Sequence, residues 1–260
     1  MPRAERSGRG AARAQGGAVN TRLALVTGGS RGLGRALVTQ WQAEGWRVIE
    51  LSRSAPTADS VRVDLAQPAA VAQALAEALV GIDPLSVTEL LVLHNAGTVQ
   101  PLGPASNRPV GEVIDALNVN LVSGITFLAT AMGHFQSCPG RKVVAQITSG
   151  AAVRAHAGLS LYSAAKAGMD QFMRVVAAEQ ALQPHPFSTL SLDPGALDTD
   201  MQGTLRRAAP EHYPGAAAFA QRHRDGALGQ VEAVAAAVRR LLASPPSPLG
   251  ERHHASPPRG

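Results

Sequence analysis

The stretch TGGSRGLGRAL, residues 27–37, follows directly after the apolar run LALV at residues 23–26. A buried strand, a dense glycine cluster and a helical pattern form the arrangement in which backbone amides can face a pyrophosphate. Glycine permits a tight turn and a close approach of the backbone, and the helix N-terminus adds unpaired N–H groups and a partial positive charge. The stretch predicts a dinucleotide-binding turn, with an ordinary strand-to-helix turn as the alternative.

Short apolar or β-branched runs alternate with longer helical patterns along the rest of the chain. Such alternation predicts βαβ crossovers and a single Rossmann-like α/β fold, a doubly wound parallel sheet with helices on both faces. The runs are continuous rather than alternating, as expected of strands buried on both sides. The predicted strands are 23–27, 46–51, 61–65, 89–94, 142–148 and 187–193, and the predicted helices lie around 33–44, 68–80, 110–136, 161–182 and 230–243.

The two ends of the chain differ from this pattern. Residues 1–20 are rich in Arg, Gly and Ala, and we expect a disordered tail there, with a transit-like segment as the alternative. Residues 244–260, SPPSPLGERHHASPPRG, carry prolines, glycines and charges that oppose a strand. We therefore expect one dinucleotide-binding domain over 21–243 and an irregular C-terminal tail over 244–260.

The composition excludes several classes of function. The net charge of +5 lies mostly in the two tails, and aromatic residues make up 3% of the chain, so we expect no nucleic-acid partner. We find no stretch of about 18 uncharged apolar residues and expect no membrane partner. The single cysteine, Cys138, excludes an intramolecular disulfide and fits a cytoplasmic location. The histidines lack metal-ligand spacing, so no metal site is predicted.

The sequence YSAAK places Tyr162 and Lys166 four residues apart in a helical pattern, so both side chains project from one face. An ammonium beside a phenol favours the phenolate, which would lower the tyrosine pKa from about 10. The chain contains 2 tyrosines, so chance placement of this pair, thirteen residues after Ser149, is improbable. The pair predicts acid/base chemistry, with a core tyrosine and a surface lysine as the alternative.

The end of the second predicted strand indicates the cofactor. A free ribose 2′-hydroxyl calls for an acidic residue there, but the chain has Leu51-Ser52-Arg53. Arg31, in the glycine turn, supplies a second cation, and guanidinium groups bind phosphate bidentately. The two arginines predict NADP(H). The alternative is that Arg53 is a solvated charge and that NAD(H) is used.

Several motifs together resemble those of the short-chain dehydrogenase/reductase family over roughly residues 21–243. Within this family, the Ser-Arg pair and the string LDTDMQ are most similar to sepiapterin reductases and to bacterial diketone reductases such as benzil reductases. The resemblance implies one Rossmann-like domain and a homodimer or homotetramer. The motifs that carry it, in order, are TGGSRGLG (27–34), HNAG (94–97), Ser149, YSAAK (162–166) and DPGALDTDM (193–201).

The resemblance also implies catalytic roles. Ser149 would bind the substrate carbonyl, Tyr162 would protonate the developing alkoxide, and Lys166 would also bind the nicotinamide ribose. Asn120 would support a proton-relay water, with Asn118 as the competing register. The implied reaction is NADPH-dependent reduction of a ketone or diketone of a small molecule. A non-catalytic NADP(H)-binding sensor on the same fold is the alternative.

The implied cofactor-binding residues lie in six segments. Asp64 would bind adenine, or would simply cap the end of the third strand. Leu197 and Thr199 would contact the carboxamide with backbone and hydroxyl. The full set is Gly28, Ser30, Arg31, Gly32, Leu33, Gly34, Arg53, Asp64, Asn95, Ala96, Gly97, Tyr162, Lys166, Pro194, Gly195, Leu197 and Thr199.

The chain departs from the family pattern at its C-terminus. The family ordinarily ends with a seventh strand, which residues 244–260 do not suggest, and the acidic residue that holds a pterin has no clear equivalent. We therefore expect a substrate other than a pterin. Residues 202–228, with Tyr213, should form a lid over a pocket for a hydrophobic or aromatic carbonyl compound.

Overall fold

The protein, described by a computed structural model for residues 21–247 and 249–255, folds around one parallel sheet. The tail predicted at 1–20 lies outside the described residues. The strand order is β3-β2-β1-β4-β5-β6-β7, and every neighbouring pair is parallel, which confirms the predicted fold class. The strands are β1 (Thr21–Thr27), β2 (Arg47–Ser52), β3 (Ser60–Arg62), β4 (Val87–His94), β5 (Arg141–Ile147), β6 (Ser188–Asp193) and β7 (Arg252–His254).

Helices cover both faces of the sheet and bury two separate apolar clusters. One cluster joins the sheet to Leu75, Phe127 and Met173, and the other joins it to Trp41 and Val238. The helices are α1 (Gly32–Ala43), α2 (Pro68–Ala78), α3 (Val110–Leu117), α4 (Ser123–Phe135), α5 (Ser160–Gln180), α6 (Asp200–Arg206), α7 (Ala216–Arg224) and α8 (Val231–Ala243).

The helix predicted over 110–136 is α3 and α4 joined by a π-helical turn at Asn118–Val122. By length and composition alone, the segment Val110–Phe135, with a mean hydropathy of 1.5, could cross a membrane, a possibility that the sequence pattern did not indicate. In this fold Phe127, Leu128 and Phe135 are fully buried against the sheet. In total, 33% of the most apolar window of this segment is buried inside the fold.

The prediction that residues 244–260 form an irregular tail without a strand is wrong at Arg252–His254. These residues pair in parallel with Ser191, Leu192 and Asp193 of β6. The Gly250 amide donates to the Thr189 carbonyl at 2.7 Å, and the Ala255 amide donates to the Asp193 carbonyl at 2.8 Å. Backbone groups make this ladder, so a three-residue edge strand tolerates side chains of low strand propensity.

The predicted lid contains α6 and α7, neither of which was predicted as a helix. Tyr213 lies between them and is 1% exposed. It packs with Leu102, Leu159 and Leu205, and its ring meets that of Phe219 edge to face at 5.6 Å. Tyr213 is therefore part of a small core beneath the lid. The sequence had suggested instead that it faces an open pocket.

Candidate active site

The glycine turn after β1 is folded back against the end of β4. Gly28 has a φ of +72°, and a Cβ there would lie 2.8 Å from the Cα of Ala96. A Cβ on Gly34 would lie 2.2 Å from the Gly28 carbonyl oxygen and 2.4 Å from Nδ2 of Asn95. No side chain fits at either position, so the turn forms a bare backbone cradle at the start of α1. Such a cradle fits the pyrophosphate of a dinucleotide.

Hydrogen bonds fix this cradle to the segment after β4. Asn95 Nδ2 donates to the Gly28 carbonyl at 2.9 Å, and the hydroxyl of Thr27 accepts from the amides of Asn95 and Ala96, both at 3.2 Å. The single hydroxyl proton of Thr27 is then left for Nδ1 of His94, 2.9 Å away. Burial lowers the pKa of His94 to about 3, so this imidazole is neutral and holds the strand end.

Ser149 follows β5, and Tyr162 and Lys166 project from the first turns of α5. Lys166 Nζ donates to the Ile147 carbonyl at 2.7 Å and lies 5.8 Å from the centroid of the Tyr162 ring. Burial lowers the pKa of Lys166 to about 8, and the carboxylate of Asp170, one turn further along α5, opposes this shift. The helix thus brings the predicted pair together beside Ser149.

The predicted lowering of the Tyr162 pKa is not what the structure gives. Burial raises this pKa to about 12, a hydrogen bond with Ser149 opposes the shift, and the nearby carboxylate of Asp193 adds to it. Burial and the Asp193 carboxylate disfavour the phenolate more than the hydrogen bond with Ser149 favours it. Tyr162 is therefore a protonated phenol at neutral pH.

Asn120 lies in the π-helical turn, next to the lysine. Its Nδ2 donates to the carbonyls of Thr98 and Ala116, both at 2.9 Å, and its Oδ1 accepts from the Thr98 amide at 2.8 Å. A Cβ on Gly97 would lie 3.1 Å from Asn120 Oδ1 and 3.8 Å from Lys166 Nζ. The competing residue, Asn118, donates instead to the Ala66 carbonyl at 3.1 Å. Asn120 is the asparagine that the fold brings to Lys166.

The segment after β6 closes the site from the other side. Pro194 leads into Gly195, which has a φ of +71° and donates its amide to Asp193 Oδ1 at 3.0 Å. Thr199 precedes α6, with its methyl group 3.4 Å from where a Gly32 Cβ would lie. Leu197 is 8% exposed, and its side chain packs in the core, so only its backbone could contact a cofactor.

At the far end of the cradle, the predicted cofactor residues are less closely grouped. Asp64 Oδ1 accepts from the Ala66 amide at 3.0 Å, which is the capping role left open as its alternative. Arg31 Nη1 lies 3.4 Å from Asp200 Oδ2, with both side chains largely exposed. Arg53 is exposed and has no ion pair or side-chain hydrogen bond within residues 21–247 and 249–255. One of the two predicted phosphate ligands is thus already engaged.

Asp193 is the site residue that the sequence reading missed. Its side chain is 5% exposed, and its Oδ2 pairs with the guanidinium of Arg252 and lies 3.4 Å from His254 Nδ1. Both partners come from β7, the strand that was not predicted. The motif DPG was available as a signal, but nothing in the sequence indicated which cation would neutralise its aspartate.

All these segments follow the carboxyl ends of β1, β4, β5 and β6, which lie at one edge of the sheet. A backbone cradle at a helix N-terminus, joined to a serine, a tyrosine, a lysine and an asparagine, defines an α/β oxidoreductase of the nicotinamide dinucleotide class. The chain belongs to the short chain dehydrogenase family, whose sequence model matches residues 22–210.

Two relatives and one solved structure illustrate the similarity. The chain is 30% identical over 242 residues to benzil reductase ((S)-benzoin forming) of Bacillus cereus, covering 88% of this chain and 97% of that protein. It is 30% identical over 217 residues to sepiapterin reductase of Meriones unguiculatus, covering 75% and 81%. It resembles the crystal structure of the KRED1-Pglu enzyme with a TM-score of 0.77 and 26% identity, covering 90% of this chain and 100% of that one.

Proposed function

We propose that the protein reduces a ketone or diketone carbonyl of a small molecule with NADPH, and that Tyr162 is the acid. The observation that carries this proposal is the convergence of Tyr162 with Ser149, Lys166 and Asn120 beside the glycine cradle. The similarity to a benzil reductase over nearly the whole of both chains supports the choice of a diketone.

Bound NADPH would supply the hydride, and the protein would supply a proton at the carbonyl oxygen. With a pKa of about 12, Tyr162 carries its proton at neutral pH and can donate it. The Ser149 hydroxyl can donate a hydrogen bond to the same oxygen and orient it. Lys166, when charged, favours the phenolate that remains after the transfer. Asn120, through three hydrogen bonds, fixes the backbone of Thr98 and Ala116 beside Lys166.

We assign NADPH rather than NADH because two cations, Arg31 and Arg53, lie at the ends of the glycine turn and of β2. Arg53 is the stronger candidate for the 2′-phosphate, since it has no competing partner within the residues that the structure describes. Arg31 would have to leave Asp200, and this exposed pair contributes little, about 0–1 kcal/mol.

We also propose a cytoplasmic homodimer or homotetramer. Cys138 is buried and reduced, with its Sγ donating to the Val87 carbonyl at 3.2 Å, which fits a reducing compartment. Exposed apolar side chains on α3, on the π-helical turn and on α5 support association with further copies. They are Ile114, Val122 and Val175.

Replacing Tyr162 with Phe tests the proposal. We expect turnover of benzil with NADPH to fall by about 10²–10⁴-fold, because a general acid is lost, while NADPH binding is retained. Absorbance of NADPH measures turnover, and a fluorescence titration measures binding. Tyr213→Phe is the matched control, since its buried hydroxyl has no hydrogen-bond partner among the described residues.

Unchanged turnover in Tyr162→Phe would contradict the assigned acid. A wild-type protein that binds NADPH tightly but reduces neither benzil nor a broad panel of ketones would instead indicate the non-catalytic sensor. Reduction of sepiapterin at a rate comparable to that of benzil would contradict the expectation that pterins are not substrates.

A further inference from the structure

A cavity of about 380 Å³ lies beside the candidate active site, between the segment after β4 and the end of α6. One of its lining residues, Leu102, belongs to the small apolar cluster against which Tyr162 and Met201 also pack. The cavity is therefore next to the catalytic end of the site and away from Arg53. Its lining includes Gln100, Leu102, Arg108, Thr204, Arg207 and His212.

The lining carries two guanidinium groups, one imidazole and no carboxylate. The Arg108 side chain is 19% exposed, and its Nη1 lies 3.7 Å from Glu112 Oε2, the one ion pair it makes within the described chain. Its Nε is buried and has no hydrogen-bond partner among these residues. Arg207 is exposed and makes no ion pair or side-chain hydrogen bond within residues 21–247 and 249–255.

Two glycines leave space for these guanidinium groups. A Cβ on Gly103 would lie 2.5 Å from Nη2 of Arg108, and Gly103 has a φ of +114°, which disfavours other residues. A Cβ on Gly203 would lie 2.9 Å from Nη1 of Arg207. Side chains at either position would displace a guanidinium group from the cavity. The local backbone is thus compatible with two cations sharing one cavity.

A buried donor without a partner is costly, and Glu112 lies near Nη1 of Arg108 and leaves its Nε unpaired. An anion in the cavity would pair with the guanidinium groups of Arg108 and Arg207 together. Guanidinium groups bind carboxylates with short, charge-assisted hydrogen bonds. We propose that this cavity binds a carboxylate of the substrate, so that the protein acts on ketones or diketones that carry an anionic group away from the reacting carbonyl. This inference rests on the proposed function, since it places the reacting carbonyl at Tyr162.

A pair of compounds of nearly equal shape tests the proposal: benzil with a para carboxylate, and the methyl ester of the same compound. Calorimetry measures their binding to the protein saturated with NADP⁺, which requires no turnover, and kcat/KM with NADPH is measured in parallel. We expect the acid to be favoured by at least about tenfold, because hydrogen bonds between charged groups are stronger than those between neutral groups.

The variants Arg207→Gln and Arg108→Gln should each remove most of this preference and leave the affinity for the ester unchanged. Arg240→Gln is the control, because Arg240 is exposed on α8 and removes the same charge away from the cavity. If Arg108→Gln does not fold, Arg207→Gln alone decides, since the exposed Arg207 side chain makes no ion pair or hydrogen bond among the described residues.

Equal affinities for acid and ester, or a preference that Arg207→Gln does not reduce, would overturn the proposal while carbonyl reduction itself still held. Failure of both compounds to bind would also overturn it. Added benzoate that binds as tightly as the diketone acid would show a site for free anions rather than for a substrate carboxylate, and would equally overturn it. Loss of turnover with retained binding preference would instead contradict the proposed reaction.

Discussion

Replacing Arg252 with Leu should destabilise the fold, because it leaves the carboxylate of Asp193 buried without its main counter-charge. The two side chains are 13% and 5% exposed, so solvent cannot replace the lost partner. Breaking a buried pair on one side costs about 3–5 kcal/mol. We expect the lower end, about 3 kcal/mol, because His254 Nδ1 remains 3.4 Å from Asp193. For a chain of this size that corresponds to a fall in Tm of about 6–12 °C.

Fluorescence of Trp41 and Trp46, which are 2% and 8% exposed, can follow the thermal transition. The double variant Arg252→Leu/Asp193→Asn should recover much of the loss, because removing both charges of a buried pair is often close to neutral. Arg240→Leu, an exposed arginine, is the matched control. A free energy of unfolding for Arg252→Leu within 1 kcal/mol of the wild type would refute a buried counter-charge, as would a double variant less stable than the single one.

Three further substitutions test the site. Asp170→Asn removes the carboxylate that raises the pKa of Lys166, so this pKa should fall below about 8. The alkaline limb of the pH profile of kcat/KM should then move to lower pH, whereas Asp170→Glu should leave it in place. Gly34→Ala places a methyl group 2.2 Å from a carbonyl oxygen and should cost about 1–3 kcal/mol of unfolding free energy and weaken NADPH binding. Gly111→Ala is the control, because a Cβ there has nothing within 4 Å and should stabilise the protein by about 0.5–1 kcal/mol. Similar shifts in Tm for the two alanine variants would contradict the close packing of the glycine cradle. Arg53→Asp should lower the preference for NADPH over NADH in kcat/KM by at least about tenfold, and an unchanged ratio would indicate that Arg53 is incidental.

The features that could be predicted from the sequence are those that local patterns determine. Continuous apolar runs gave the strands because a parallel sheet buries both faces, and the glycines at 28 and 34 are required by contacts of 2.8 and 2.2 Å. The spacing of Tyr162 and Lys166 placed them on one helix face. The direction of the Tyr162 pKa could not be predicted, because burial by distant segments, together with the Asp193 carboxylate, outweighs the hydrogen bond with Ser149.

The seventh strand was not predicted because it also depends on contacts with residues distant in the sequence. Residues Arg252–His254 have no strand pattern of their own, and they are held by the backbone of β6 and by the charge of Asp193. A pairing between residues about 60 positions apart is not visible as a local pattern.

Asp193 also links this edge strand to the candidate chemistry. Its Oδ1 accepts from the Gly195 amide, in the turn that would face the nicotinamide, while its Oδ2 is held by Arg252. The same carboxylate raises the pKa of Tyr162, the proposed acid, so the charge that Arg252 neutralises also acts on this phenol. An uncompensated Asp193 would hold the Tyr162 proton more tightly and slow its transfer to the carbonyl oxygen. The C-terminal strand is therefore expected to set both the stability of the sheet edge and the acidity of the tyrosine.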